Sequence, residues 1–78
     1  MPVDPPPAWV LAQRRTVGDR IRAARLDAQL SQVKLGELVG VDHKTIHRIE
    51  HGTSDPSLGV LLLIADAIGV PLADLVRH

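Results

Sequence analysis

Lys44 and Arg48 stand four residues apart in the stretch QVKLGELVGVDHKTIHRIEHG, which runs from Gln32 to Gly52. On a helix that spacing puts both cations on one face. A flexible amine beside a planar guanidinium is chemistry suited to base edges and phosphates. His47 and His51 belong to the same outer face, and His43 lies at its exposed start. Ile46 and Ile49 fall three apart on the opposite face, so the segment has an apolar inside and a donor-rich outside. Arg48 has the fork that pairs with guanine N7 and O6, a contact worth about 1–3 kcal/mol of discrimination against a wrong base. Lys44 and Arg48 are therefore the primary candidates for reading DNA, with Thr45 and His47 as neighbours.

A reading helix must be held in place by other elements. The residues before it form a second short helix from Gln32 to Val39, entered through Ser31 as its cap and left through a tight turn. Gly36 lies where the two helix backbones approach closely, and Gly40 where the chain turns out of the first helix, a position that favours positive φ. Asp42 then caps the reading helix, expected from about His43 to His51 and ended by Gly52. Two helices joined in this way are a helix-turn-helix, a unit that lays its second helix in the major groove. Gln32 occupies the first turn of the supporting helix, where free backbone amides and the positive end of the helix dipole receive a phosphate. Ser31 is mainly a cap, and the Thr53 hydroxyl is a candidate for a second phosphate. Contacts of this kind position the protein and do not specify sequence.

From Thr16 to Val76 the chain resembles the Cro and phage-repressor class of helix-turn-helix domains, the Xre family. The resemblance rests on the opening R-x-A-R-L, the L-S-Q entry into the second helix, and the late P-S-L and A-x-x-I-G-V-P-L runs, all in order. It implies an all-α fold, a compact five-helix bundle of the lambda-repressor-like type. It also implies a transcriptional repressor or related regulator that binds operator DNA as a dimer. Carried over residue by residue, the family's base-reading positions fall on His43, Lys44 and Arg48, and its phosphate-gripping glutamine on Gln32. The family pattern also pairs an arginine late in the first helix with a glutamate late in the reading helix. Here these are Arg25 and Glu50, expected to form a structural salt bridge and so excluded from the reading set. The chain departs from the usual pattern at Asp42, where a serine or threonine cap is commoner, at Asp55, a negative charge in a loop, and at Gly59, early in the fourth helix.

Composition narrows the alternatives. The chain has 78 residues, enough for one small domain, with nine basic and nine acidic side chains and a formal net charge of zero. Zero net charge argues against indiscriminate polyanion binding, yet Arg14, Arg15, Arg20, Arg22 and Arg25 crowd the first third while Asp55, Asp66 and Asp74 lie in the last. There is no cysteine, so neither a disulfide nor a thiolate metal site is available. His43, His47 and His51 recur every fourth residue, but without a third ligand type nearby they do not make a specific metal site. No cofactor motif and no catalytic motif assembles: phosphate loop, H-E-x-x-H and nucleophile elbow are all missing. Trp9 is the only aromatic residue, which argues against base stacking on single strands or RNA and leaves duplex DNA as the partner. It is expected to pack on the bundle or on a partner subunit. No run of residues is long and apolar enough to cross a membrane, and the start lacks a secretory pattern. The reading is a cytoplasmic protein.

The chain divides into residues 1–15, a proline-rich arm with a short stretch of helix formers, and residues 16–78, the DNA-binding domain. Met1 to Pro7 contains four prolines and is expected to be a mobile arm. Ala8 to Arg15 forms either a short extra helix or a run into the next. Thr16 with Asp19 resembles a capping box and predicts a helix starting there, with Val17, Ile21 and Ala24 inward, Leu26 and Leu30 closing its end, and Gly18 weakening any continuous helix. Val33, Leu35, Leu38 and Val39 form the apolar side of the second helix. Ser57 or Asp55 caps a fourth helix through Ile68, with Leu58, Leu61, Leu62, Ile64, Ala65 and Ile68 apolar, and Pro71 opens a last one carrying Leu72, Leu75 and Val76. The leading function is a non-enzymatic, sequence-specific regulator of transcription, a repressor acting as a homodimer on a palindromic operator. Two alternatives keep the same fold: an antitoxin that binds a toxin partner and represses its own operon, and a protein-interaction module without DNA binding.

Overall fold

A computed structural model describes residues 4–77; Met1–Val3 of the proline-rich arm and the terminal His78 lie outside the described residues. Five helices follow in order: α1 Ala8–Asp27, α2 Gln32–Val39, α3 His43–Glu50, α4 Leu58–Ile68 and α5 Leu72–Val76. The all-α, five-helix expectation holds. α2 packs on α3 and α4, α1 lies across α3 and α5, and α4 meets α5. Every helix sends at least one residue to the common core, which consists of Ile21, Leu35, Val39, Ile46, Ile49, Ile64, Ala65 and Leu75. This core is wholly aliphatic.

Local hydrogen bonds set most helix starts. Ser31 Oγ accepts the Lys34 amide at 2.9 Å, Asp42 Oδ1 accepts Lys44 and Thr45 at 2.7 and 3.1 Å, and Ser57 Oγ accepts Val60 at 3.1 Å. Each satisfies one or two of the amides that a helix leaves without an internal partner. The turn between α2 and α3 closes through Gly36, whose carbonyl accepts the amides of both Gly40 and Val41 at 2.8 and 2.9 Å. Gly40 has φ +88°, the left-handed conformation that glycine adopts without penalty. A Cβ on Gly36 would fall 2.6 Å from the Val41 carbonyl oxygen, so the turn folds back directly onto this glycine.

The start of α1 corrects the sequence reading. The helix does not begin at Thr16; it begins at Ala8, after Pro7, and runs unbroken for 20 residues. Thr16 Oγ1 donates to the Ala12 carbonyl one turn back, at 3.1 Å, so it bonds within the helix and caps nothing. Gly18 sits inside this helix and is buried.

The apolar sides of the helices divide between core and surface. Leu26, Val33, Leu38, Leu58 and Leu62 are exposed, whereas the apolar side chains buried from α2 are Leu35 and Val39, and from α4 Ile64 and Ala65. α4 is apolar almost all round, and a helix packed on one side of a bundle leaves the remainder facing out. Trp9 is also exposed, at the rim of an apolar groove lined by Val17, Leu61 and Val76, with Asp55 beside it. None of the described helices is long and apolar enough to cross a membrane.

Candidate nucleic-acid interface

The outer face of α3 carries His43, Lys44, His47 and Arg48, all exposed, with Thr45 half-buried beside them. Ile46, Ile49 and Glu50 are buried on the inner face. The inner face fixes the rotation of the helix about its axis, and that rotation is what presents the cations outward. Among the described residues neither Lys44 nor Arg48 belongs to an ion pair, since the salt bridges there are Arg15–Asp19, Arg25–Glu50 and Lys34–Glu37. Both are free to meet an external acceptor.

Asp42 holds the start of this helix. Its carboxyl pKa is lowered, first by the Thr45 backbone hydrogen bond, with the Lys44 amide and the charges of His43 and Lys44 acting in the same direction. A carboxylate with a lowered folded-state pKa contributes stability that is present above the ordinary carboxylate range and is lost as pH falls through the folded value. Melting temperature followed from about pH 5 to pH 2 should therefore drop less steeply for Asp42→Ser, which keeps a capping oxygen without a titrating one, than for the parent. Parallel curves would mean that the cap does not respond to pH.

Behind α3, Arg25 and Glu50 form a closed pair. Arg25 Nε donates to Glu50 Oε2 at 2.6 Å and Nη2 donates to Oε1 at 2.9 Å, while Nη1 donates to the Leu30 carbonyl at 2.8 Å. The side chains are 7% and 0% exposed. The Arg25 pKa is raised, chiefly by the hydrogen bonds to Glu50. One guanidinium thus ties the end of α1, the loop after it and the end of α3 together.

Gln32 reaches the same carboxylate: its Nε2 donates to Glu50 Oε1 at 3.2 Å. An amide nitrogen has two protons, so one remains for an external acceptor, and the tether orients it. Ser31 Oγ accepts from Lys34 and keeps its own proton. Thr53 is different. Its hydroxyl and its amide both donate to the Arg48 carbonyl, at 3.2 and 3.0 Å, which closes the end of α3 and leaves no proton for a phosphate. The hydroxyl proton is thus directed at the end of α3 and not outward, contrary to the expected phosphate contact.

The arginines of α1 also sort by partner. Arg14 Nε donates to the Gly52 carbonyl at 3.0 Å, Arg20 donates to the Arg77 carbonyl, and Arg25 is held by Glu50. Arg15 and Arg22 instead border a polar cleft of about 360 Å³ between α1 and α3, together with His47 and His51. Composition alone does not place these arginines. The signal was available, since Arg15, Asp19 and Arg22 recur at helical spacing on one face.

A helix-turn-helix family profile matches residues 21–75, and the chain belongs to this helix-turn-helix family. It is similar to the immunity repressor protein of Bacillus phage phi105, 36% identical over 61 residues, or 78% of this chain and 42% of that one. It is also similar to a putative HTH-type transcriptional regulatory protein of Methanosarcina acetivorans, 39% identical over 56 residues, 72% of this chain and 17% of that one. The chain thus spans less than half the length of these curated relatives. Among solved structures, the restriction-modification controller protein C.AhdI from Aeromonas hydrophila superposes with a TM-score of 0.79 at 31% identity, covering 82% of this chain and 97% of that one. The P22 c2 repressor, solved in complex with a synthetic operator, gives 0.74 at 31% identity over 78% and 92%. The resemblance to the phage-repressor class seen in the sequence holds in both comparisons.

Proposed function

We propose that this chain is a non-enzymatic, sequence-specific regulator of transcription that works in the cytoplasm as a repressor, binding duplex DNA as a homodimer on a palindromic operator. α3 enters the major groove. His43, Lys44 and Arg48 meet base edges, Thr45 and His47 flank them, and Gln32 with Ser31 holds a phosphate at the start of α2. The observation that carries this reading is the pairing of an exposed, uncommitted Lys44 and Arg48 with an inner face locked by Ile46, Ile49 and Glu50. Exposed Leu58, Leu62 and Leu63 on α4 supply apolar surface for a second copy.

Selection of bound fragments from a random duplex pool tests it. Two half-sites related by a two-fold axis should emerge, with centres about one helical turn apart, roughly 34 Å, or a multiple of it. Arg48→Ala should then relax preference at one base position in each half-site, by about 1–3 kcal/mol. Gln32→Ala should weaken binding to all sequences alike, because its partner is a phosphate. Equal, sequence-blind losses for both variants would remove α3 as the reading helix, and a pool that yields no enrichment would remove sequence-specific binding.

A further inference from the structure

We propose that the cleft between α1 and α3 seats a phosphate of the DNA backbone, and that its occupancy is coupled to uptake of a proton at His51. The proposal rests on the DNA-binding reading above and deepens it: the phosphate position beside Gln32 extends into this cleft and responds to pH.

The cleft opens beside groups already facing the DNA: Gln32 and His47 line it, together with Arg15, Asp19 and Arg22 of α1. Its charge depends on the imidazoles. Arg25 is neutralised by Glu50 at 2.6 Å and Arg15 lies 3.7 Å from Asp19, while Arg22 is exposed and in no ion pair among the described residues. With His47 and His51 neutral, the arginines exceed the carboxylates by a single charge; with both protonated the excess triples.

Hydrogen bonding makes His51 the coupled group. Its Nδ1 lies 2.8 Å from the His47 carbonyl oxygen, which can only accept, so Nδ1 carries the proton of the neutral ring. Neutral His51 therefore presents only a lone pair at Nε2. A phosphodiester offers acceptors and no proton, so a contact between the two requires Nε2 to be protonated first. His51 is also the C-terminal cap of α3. The His47 and His51 rings are stacked, with centroids 4.0 Å apart and planes 30° apart. Two adjacent imidazolium rings repel, and an anion beside them offsets that repulsion. Proton and phosphate thus raise each other's occupancy, as linkage requires.

The test compares the full chain with His51→Gln, which keeps an amide donor and cannot titrate. Affinity for the selected duplex is measured between about pH 8 and pH 6, the range in which imidazoles change charge. Proton uptake is measured by calorimetry in buffers of different ionisation heat. The parent should gain about tenfold in affinity per pH unit for each proton taken up, with roughly one proton per chain, and His51→Gln should lose most of that slope. Equal slopes, or duplex binding without proton uptake, would overturn the proposal while leaving DNA binding intact. If no duplex binds at any pH, the functional reading falls, and inorganic sulfate, a tetrahedral anion that does not titrate here, decides the cleft alone. Sulfate should then move the His51 ring titration, followed by NMR, to higher pH relative to chloride at equal ionic strength. No movement would refute the site, and movement with sulfate but no proton coupling with bound duplex would assign the cleft to a free anion and refute the DNA backbone as its ligand.

Discussion

Gly18→Ala is expected to destabilise the domain by about 3 kcal/mol or more, although the substitution improves helix propensity. A Cβ at this position would fall 2.5 Å from the carbonyl oxygens of both Ile49 and Glu50 and 2.8 Å from the Glu50 carbonyl carbon. Those atoms are backbone at the end of the reading helix, and they cannot swing aside as a flexible side chain would. Propensity alone predicts the opposite sign, a gain of about 1 kcal/mol. Overpacking against backbone outweighs it, and a domain of this size has a total stability on the order of only 4–12 kcal/mol. Gly59→Ala supplies the internal control. The same methyl added early in α4 would meet nothing nearer than Ser57 Oγ at 3.8 Å, so the variant should be neutral or up to about 1 kcal/mol more stable. Urea unfolding of the two variants decides the matter: a stabilised Gly18→Ala would mean that α1 and α3 are not in backbone contact. Since Gly18 sets the distance between α1 and the end of α3, its loss should also displace the reading helix and lower duplex affinity.

This glycine shows why the start of α1 was hidden in the sequence. Read locally, Gly18 weakens a helix, and Thr16 with Asp19 offers a plausible place to begin one. What favours glycine there is a contact with α3, distant along the chain, which no local spacing encodes. The caps Ser31, Asp42 and Ser57 were legible because each bonds an amide only two or three residues ahead. The reading helix was legible because Ile46 and Ile49 oppose a wholly polar face. In α2 and α4, by contrast, apolar residues occur on more than one face, and periodicity could not tell that Leu35 would turn inward and Leu38 outward. The Thr53 partner is hidden for a related reason: a hydroxyl past a helix end suits a phosphate or the last carbonyls equally well, and here the Arg48 carbonyl accepts it. The partnership of Arg25 and Glu50 came from the family resemblance, because no interval in the sequence brings them together.

That pair sets the second large effect. Arg25→Met should cost about 3–5 kcal/mol, because it leaves the Glu50 carboxylate, wholly buried, with no countercharge and only the Gln32 amide as a side-chain donor. Glu50→Leu should cost a similar amount, since it strands a buried guanidinium whose remaining acceptor is the Leu30 carbonyl. Joined in one chain, the two substitutions remove both charges and replace them with apolar volume, so the double variant should be far more stable than the sum of the singles implies. The coupling energy from that cycle measures the interaction directly. Additive losses would mean that the charges act on stability independently, in conflict with the bidentate geometry. The double variant also separates fold from function, because Glu50 anchors Gln32 as well as Arg25. With the carboxylate gone, the Gln32 amide loses the bond that orients it toward a phosphate. Duplex binding should weaken by a similar factor on every sequence even where stability has largely returned, and unchanged affinity in a well-folded double variant would show that Gln32 does not need its tether.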